Sequence, residues 1–169
     1  LDFSCAIFDS GGDLVANAPH VPVHLGSMSH AVKTVISAVG ATAQEGDAWM
    51  LNAPWNGGTH LPDVTVITPV FLGGEVAFWL GSRGHHADIG GRTPGSAPPE
   101  STTIEEEGVV IDLFPLVVRG MLREGETRDL LASGRWPCRS IEQNMADLKA
   151  QIAANETGRR ELLRVVELH

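Results

Sequence analysis

The sequence is poor in basic residues, in cysteine and in long apolar runs, and each shortage removes a class of function. Twelve lysines and arginines stand against 21 aspartates and glutamates, a formal net charge of −9. A protein that grips phosphate backbones needs a basic face, so nucleic acid is not an expected partner. Cys5 and Cys138 lie far apart and form neither a metal-type pair nor a disulfide framework. They are expected as free thiols in a reducing compartment, the cytoplasm. No apolar run approaches the roughly 18 residues of a spanning helix, so no membrane segment is expected. No basic stretch leading into an apolar run and a cleavage site opens the sequence. A strand-like run opens at Leu1 and a helical pattern is still running at His169, so residues 1–169 are expected to be part of a larger domain, truncated at both ends.

What remains is ordinary globular material, 43% hydrophobic and 20% charged, enough for one domain with a real core. Phe3–Phe8 and Leu14–Ala18 flank Asp9-Ser10-Gly11-Gly12-Asp13 and read as a hairpin. Two prolines keep the stretch from Pro19 to His24 irregular, and Ser27 opens a helix to about Val39. Ala48–Leu51 reads as a strand, followed by a Pro- and Gly-rich loop over 52–59. Val64–Phe71 and Glu75–Leu80 form a second hairpin turning at Gly73-Gly74. Residues 81–103 lack periodicity and read as a long loop, functional or disordered. Val109–Val118 is a strand region, Glu126–Ser133 a short helix, and a long helix starts at the Ser140/Gln143 capping box, with Gly158 a weak point. The fold class expected is α+β, antiparallel hairpins packed with helices.

Chemistry concentrates around the second hairpin. His60-Leu61-Pro62-Asp63 and His85-His86-Ala87-Asp88 repeat a His-x-x-Asp spacing, slightly more than chance placement of seven histidines gives. With the turn at Gly73-Gly74, residues whose numbers total about 147 face each other. Asp63 then faces Gly84, Pro62 faces His85, and His60, Asp63, His85 and His86 meet at one end of the ribbon. Two imidazoles and a carboxylate suit a divalent ion such as Mn, Zn or Fe, with a coordination position left open. His86 and Asp88 could serve as further ligands or catalytic groups or hold a ligand's other nitrogen. They could equally be structural, His85-His86 as a hydrogen-bonded pair beneath a loop and Asp88 as a turn cap. His24, and less strongly His20, could enter the pocket as acid, base or substrate contact. Glu105-Glu106-Glu107 reads as a solvated charge run from which one acid could line the site. Arg83 and Arg92 are open to a surface role or to binding a carboxylate or phosphate. The glycine pairs Gly57-Gly58 and Gly90-Gly91 could admit a substrate or merely serve turns.

The residues that carry this chemistry also carry a resemblance. Asp2-Phe3-Ser4-Cys5-Ala6, the run Ala18–Met28, Gly57-Gly58-Thr59-His60-Leu61-Pro62-Asp63, the run Arg83–Gly91 and Thr93-Pro94-Gly95-Ser96 resemble the hydantoinase B/oxoprolinase family. That family joins N-methylhydantoinases, ATP-dependent 5-oxoprolinases and the large subunits of acetone-type carboxylases. Asn52-Ala53-Pro54, Ile104–Gly108, Glu126-Thr127-Arg128 and Gln143–Asn155 are similar to the 5-oxoprolinase branch. Trp55, where tyrosine is usual, and Leu113-Phe114-Pro115-Leu116, where Asn-Phe-Lys-Leu is usual, depart from it. By resemblance to the carboxylases, the ligand set falls on His60, Asp63 and His85. The activity implied is ATP-driven opening of 5-oxo-L-proline to glutamate, or of a related hydantoin. ATP with Mg is expected on a partner, a hydantoinase A-type kinase-like subunit or fused domain, within an oligomer. No phosphate-cradling Gly-x-x-x-x-Gly-Lys loop occurs in the chain, which fits ATP binding elsewhere. The alternatives are a carboxylase large subunit and an inactive structural module.

Overall fold

The computed structural model describes residues 3–18, 22–96 and 98–167, and for 22–25 the backbone alone. Among these residues seven strands form one antiparallel sheet in the order β2-β1-β5-β4-β3-β6-β7. They are β1 (Phe3–Asp9), β2 (Leu14–Asn17), β3 (Ala48–Leu51), β4 (Asp63–Leu72), β5 (Glu75–His85), β6 (Phe114–Val118) and β7 (Met121–Leu122). Helices α1 (Pro22–Val39), α2 (Glu124–Leu131) and α3 (Ile141–Glu167) complete the α+β architecture. Cys5 and Cys138 are free thiols, and burial pushes Cys138 up to about 12. No helix among the described residues is long and apolar enough to cross a membrane.

Alternation along the strands divides the core in two. On one face Ala6, Phe8, Trp49, Leu51, Ile67 and Trp79 receive Met28, Ala31, Val32 and Val35 of α1. On the other, Ala48, Met50, Val64 and Val66 receive Leu131 of α2 and Met145 and Leu148 of α3. The central β4–β5 ribbon is therefore covered on both sides, which explains its nearly continuous burial.

Several expectations need correcting. Helix α1 starts at Pro22 rather than Ser27. Proline suits a helix's first position, where its missing N–H would have had no intrahelical partner. Strand β5 runs on to His85, through residues read as loop because of Gly81 and Gly84. Those glycines pack: a Cβ on Gly81 would lie 2.9 Å from the Met28 sulfur. Helix α3 passes unbroken through Gly158, which lies against Leu80. The strand region from Val109 narrows to Phe114–Val118, and α2 begins two residues early, at Glu124.

The most consequential correction concerns register. Gly73 and Gly74 both have positive φ, 61° and 90°, as a tight two-residue hairpin turn requires. Next to the turn, Leu72 pairs with Glu75 and Phe71 with Val76, as expected. Val70, however, pairs with Phe78, so Ala77 is an extra residue, a β-bulge. Every later pair is displaced by one, and Asp63 lies opposite His85 instead of Gly84.

The loop between β3 and β4 is clamped against α1. Gly57 has φ 86°, and a Cβ there would lie 2.3 Å from the Ala31 backbone nitrogen. Gly57→Ala combines left-handed strain with a backbone clash, and is expected to cost at least about 2 kcal/mol. A denaturant midpoint equal to that of the parent would contradict this close approach.

Candidate metal centre

Three side chains converge where β4 begins and β5 ends. Asp63 opens β4 and His85 closes β5, directly across the ladder, so both project to the α1 face. His60 comes from the turn just before β4, closed by the Asp63 N–H donating to the His60 carbonyl at 3.0 Å. His60 Nδ1 lies 3.0 Å from Asp63 Oδ2 and His85 Nδ1 3.1 Å from Asp63 Oδ1. The two rings are 5.1 Å apart between centroids. One donor atom from each residue falls within 4.8 Å of the other two, close enough to share one ion. The Asp63 side chain is 2% exposed, whereas His60 and His85 are 49% and 35% exposed. The carboxylate forms the floor and the imidazoles the rim of a cluster open to solvent. Nitrogen and oxygen donors of this type fit a borderline divalent ion and leave positions for other ligands.

The floor is held from several sides. Thr59 Oγ1 donates to Asp63 Oδ2. Asn52, fully buried, donates through Nδ2 to the Leu61 carbonyl at 2.8 Å and the Val109 carbonyl at 3.0 Å. Its Oδ1 accepts from the Ile111 N–H at 2.6 Å, which pins the His60–Asp63 turn to the core. Arg83 lies two residues before His85 on the same face and has no exposed surface. It donates to Thr65 Oγ1 at 2.7 Å, to Ser27 Oγ of α1, and to the Gly57 carbonyl at 2.7 Å. Burial lowers its pKa to about 10 while the charge of Asp63 pulls it back up, so the guanidinium stays charged at neutral pH. Arg83 is thus an internal strut beneath the cluster. Arg92 pairs with Glu106 at the surface, 3.2 Å away.

The other candidates among the described residues lie elsewhere. His86, next along the chain, turns to the α3 face and is buried. Its Nδ1 accepts from Asn144 at 3.0 Å and its Nε2 lies 3.1 Å from Gln151 Oε1. Burial holds this ring below the ordinary histidine value, against the Gln151 hydrogen bond and the Asp147 and Asp63 carboxylates. Asp88 accepts from the Gly90 and Gly95 N–H groups and pairs with Arg139 at 2.7 Å. Gly90 and Gly91 fit against the backbones of Trp136 and Glu107. Glu106 accepts from the Thr102 and Thr103 N–H groups, and Glu107 accepts from Ser101. His20 and the side chain of His24 lie outside the described residues; the His24 backbone is in the first turn of α1.

Known proteins share this arrangement of strands. The hydantoinase B/oxoprolinase family model matches residues 1–169. The chain belongs to that family. It is 50% identical to 5-oxoprolinase of Dictyostelium discoideum over 158 residues, covering 94% of this chain and 12% of that protein. It is 51% identical to 5-oxoprolinase 1 of Arabidopsis thaliana, of which it covers 13%. The chain therefore spans about an eighth of the length of these relatives. The ATP-dependent caprolactamase of Pseudomonas jessenii superposes with a TM-score of 0.89 at 33% identity, covering 99% of this chain and 28% of that one. An acetone carboxylase structure gives a TM-score of 0.88 at 22% identity over 99% of this chain and 22% of that one, which shows the shared fold alone.

Among the neighbouring groups, Asp88 gives a pH test. Burial pulls its pKa up, but the Gly90, Arg139 and Gly95 N–H groups and the Arg139 guanidinium outweigh this and hold it below the ordinary carboxylate value. A depressed carboxylate stabilises the fold above its unfolded value, about 3.9, and loses that contribution as pH falls through the folded value. Asp88→Asn should therefore lower the melting temperature at pH 7, with the gap narrowing below about pH 4. A gap constant down to pH 3 would rule out the charged pairing.

Proposed function

We propose that this chain forms the metal-dependent hydrolytic part of an ATP-dependent cyclic amidase that opens 5-oxo-L-proline or a closely related cyclic amide. The observation that carries the reading is the convergence of His60, Asp63 and His85 at one strand end, in a chain half identical to 5-oxoprolinases. A divalent ion held by these three residues would supply a Lewis acid for an amide carbonyl and acidify a water. Asp63, fixed by Thr59 and flanked by both rings, orients the two imidazoles and carries the anionic charge of the set. The half-exposed His60 and His85 leave their outer side open, where the substrate would enter. His24 remains a candidate for proton transfer, since the start of α1 adjoins the Ser27–Arg83 bond on the same face. His86 and Asp88 serve this reading by anchoring the chain just after His85.

ATP is assigned to a separate kinase-like segment or subunit, in line with ATP dependence in the name of the caprolactamase relative and with "subunit beta" in that of its curated counterpart, 34% identical over 166 residues. At 22% identity the acetone carboxylase likeness bears on the fold only and does not shift the reading toward carboxylation.

In the full-length protein, His60→Ala and His85→Ala should each abolish both bound transition metal, measured by elemental analysis, and ring-opened product. Full metal stoichiometry in both variants would rule out the ligand assignment.

A further inference from the structure

A polar seam on the far side of the sheet is tied to the strands that carry the ligands. Asn144, Gln151 and Asn155 all lie on the sheet-facing side of α3 and are buried. Gln151 Nε2 donates to the Val64 carbonyl at 2.9 Å and to the Ser82 carbonyl at 3.1 Å, bridging β4 and β5. Its Oε1 faces His86 Nε2, and Asn144 Nδ2 donates both to His86 Nδ1 and to the Asp88 carbonyl at 2.9 Å. These donors leave one consistent assignment: His86 is neutral, accepts at Nδ1 and donates from Nε2. The His86 N–H in turn donates to the Pro62 carbonyl at 2.8 Å. Val64 is the neighbour of Asp63 and His86 the neighbour of His85. The seam thus grips the residue beside Asp63 and the residue beside His85.

We infer that Gln151, Asn144 and His86 are positioning residues for the candidate metal site, holding the ends of β4 and β5 at the spacing that lets Asp63 and His85 share an ion. The inference rests on the metal-binding reading above. Apolar contacts between α3 and the sheet carry no direction, whereas an amide bridging two carbonyls sets both distance and angle to each strand. Partners that orient ligands indirectly typically affect metal affinity by roughly 10–100-fold.

The fold provides its own control. Asn155, one helical turn beyond Gln151, donates in the same way to the Val66 carbonyl and Thr68 Oγ1, both at 3.1 Å, but farther along β4 from Asp63. Gln151→Leu and Asn155→Ala therefore remove comparable buried bonds at different distances from the cluster. In the full-length protein, Zn2+ affinity measured against a chelating indicator should fall roughly 10–100-fold for Gln151→Leu. It should stay within about threefold of the parent for Asn155→Ala, although both variants melt earlier. The d–d absorption of Co2+ in the site should change for Gln151→Leu alone. If Gln151→Leu does not fold, Asn144→Ser provides the same comparison. Equal Zn2+ affinities and Co2+ spectra in the Gln151 (or Asn144) and Asn155 variants would overturn the positioning role while leaving the site intact. A parent protein that binds neither ion would overturn both readings.

Discussion

The candidate site depends on one irregularity in a hairpin, the bulge at Ala77. Gly73 and Gly74 fix the turn, and with a regular ladder that turn sets Asp63 against Gly84. His85 would then project from the opposite face, because neighbouring strand residues alternate. The extra residue at Ala77 restores the parity, so that Asp63 and His85 become direct partners on the α1 face. Side chains of directly opposed residues are within bonding reach of one another, as the 3.1 Å contact shows. A defect far down the ribbon thus decides which two residues can share a ligand at its end.

The second constraint is the burial of the Asp63 carboxylate. A charge with 2% exposure is costly unless it is compensated nearby. Thr59, two imidazoles and the buried Arg83 supply that compensation. Arg83 also joins β4, α1 and the Gly57 loop through three hydrogen bonds, so the same residue that offsets the charge fixes the walls around it. Removing such a partner leaves an uncompensated buried charge, which is why the ends of α1, β4 and β5 are coupled here.

Much of this was legible in the residues. The hairpins, the α+β class, the long final helix and the arrival of His60, Asp63 and His85 at one end of the ribbon follow from glycine turns and spacing, and the fold matches that of the family. The bulge was not legible, because Ala77 is neither a glycine nor a proline and nothing beside it marks a break in the strand. The extension of β5 through Gly81 and Gly84 was hidden for the opposite reason: glycine reads as loop, yet these two serve close packing under Met28 and beside Gln151. Arg83 was open to a surface role or to binding a carboxylate or phosphate, and its place as an internal strut was not read because an arginine without exposed surface is rare. Its odd-numbered place in step with His85 was the available clue.

Helix α3 shows why the remaining positioning groups escaped notice. An amphipathic stripe is found by counting apolar residues, and Met145, Leu148 and Ile152 mark it well. Asn144, Gln151 and Asn155 occupy the same stripe at helical spacing, where polar residues are normally assigned to water. Strand carbonyls carry two lone pairs, and the ladder uses one, so a buried amide can take the other. Apolar contacts hold a helix against a sheet without a preferred direction. Amide-to-carbonyl bonds at 2.9–3.1 Å add a preferred distance and angle. The stripe therefore combines two functions: the apolar residues supply the burial, and the amides fix where along β4 and β5 the helix must lie.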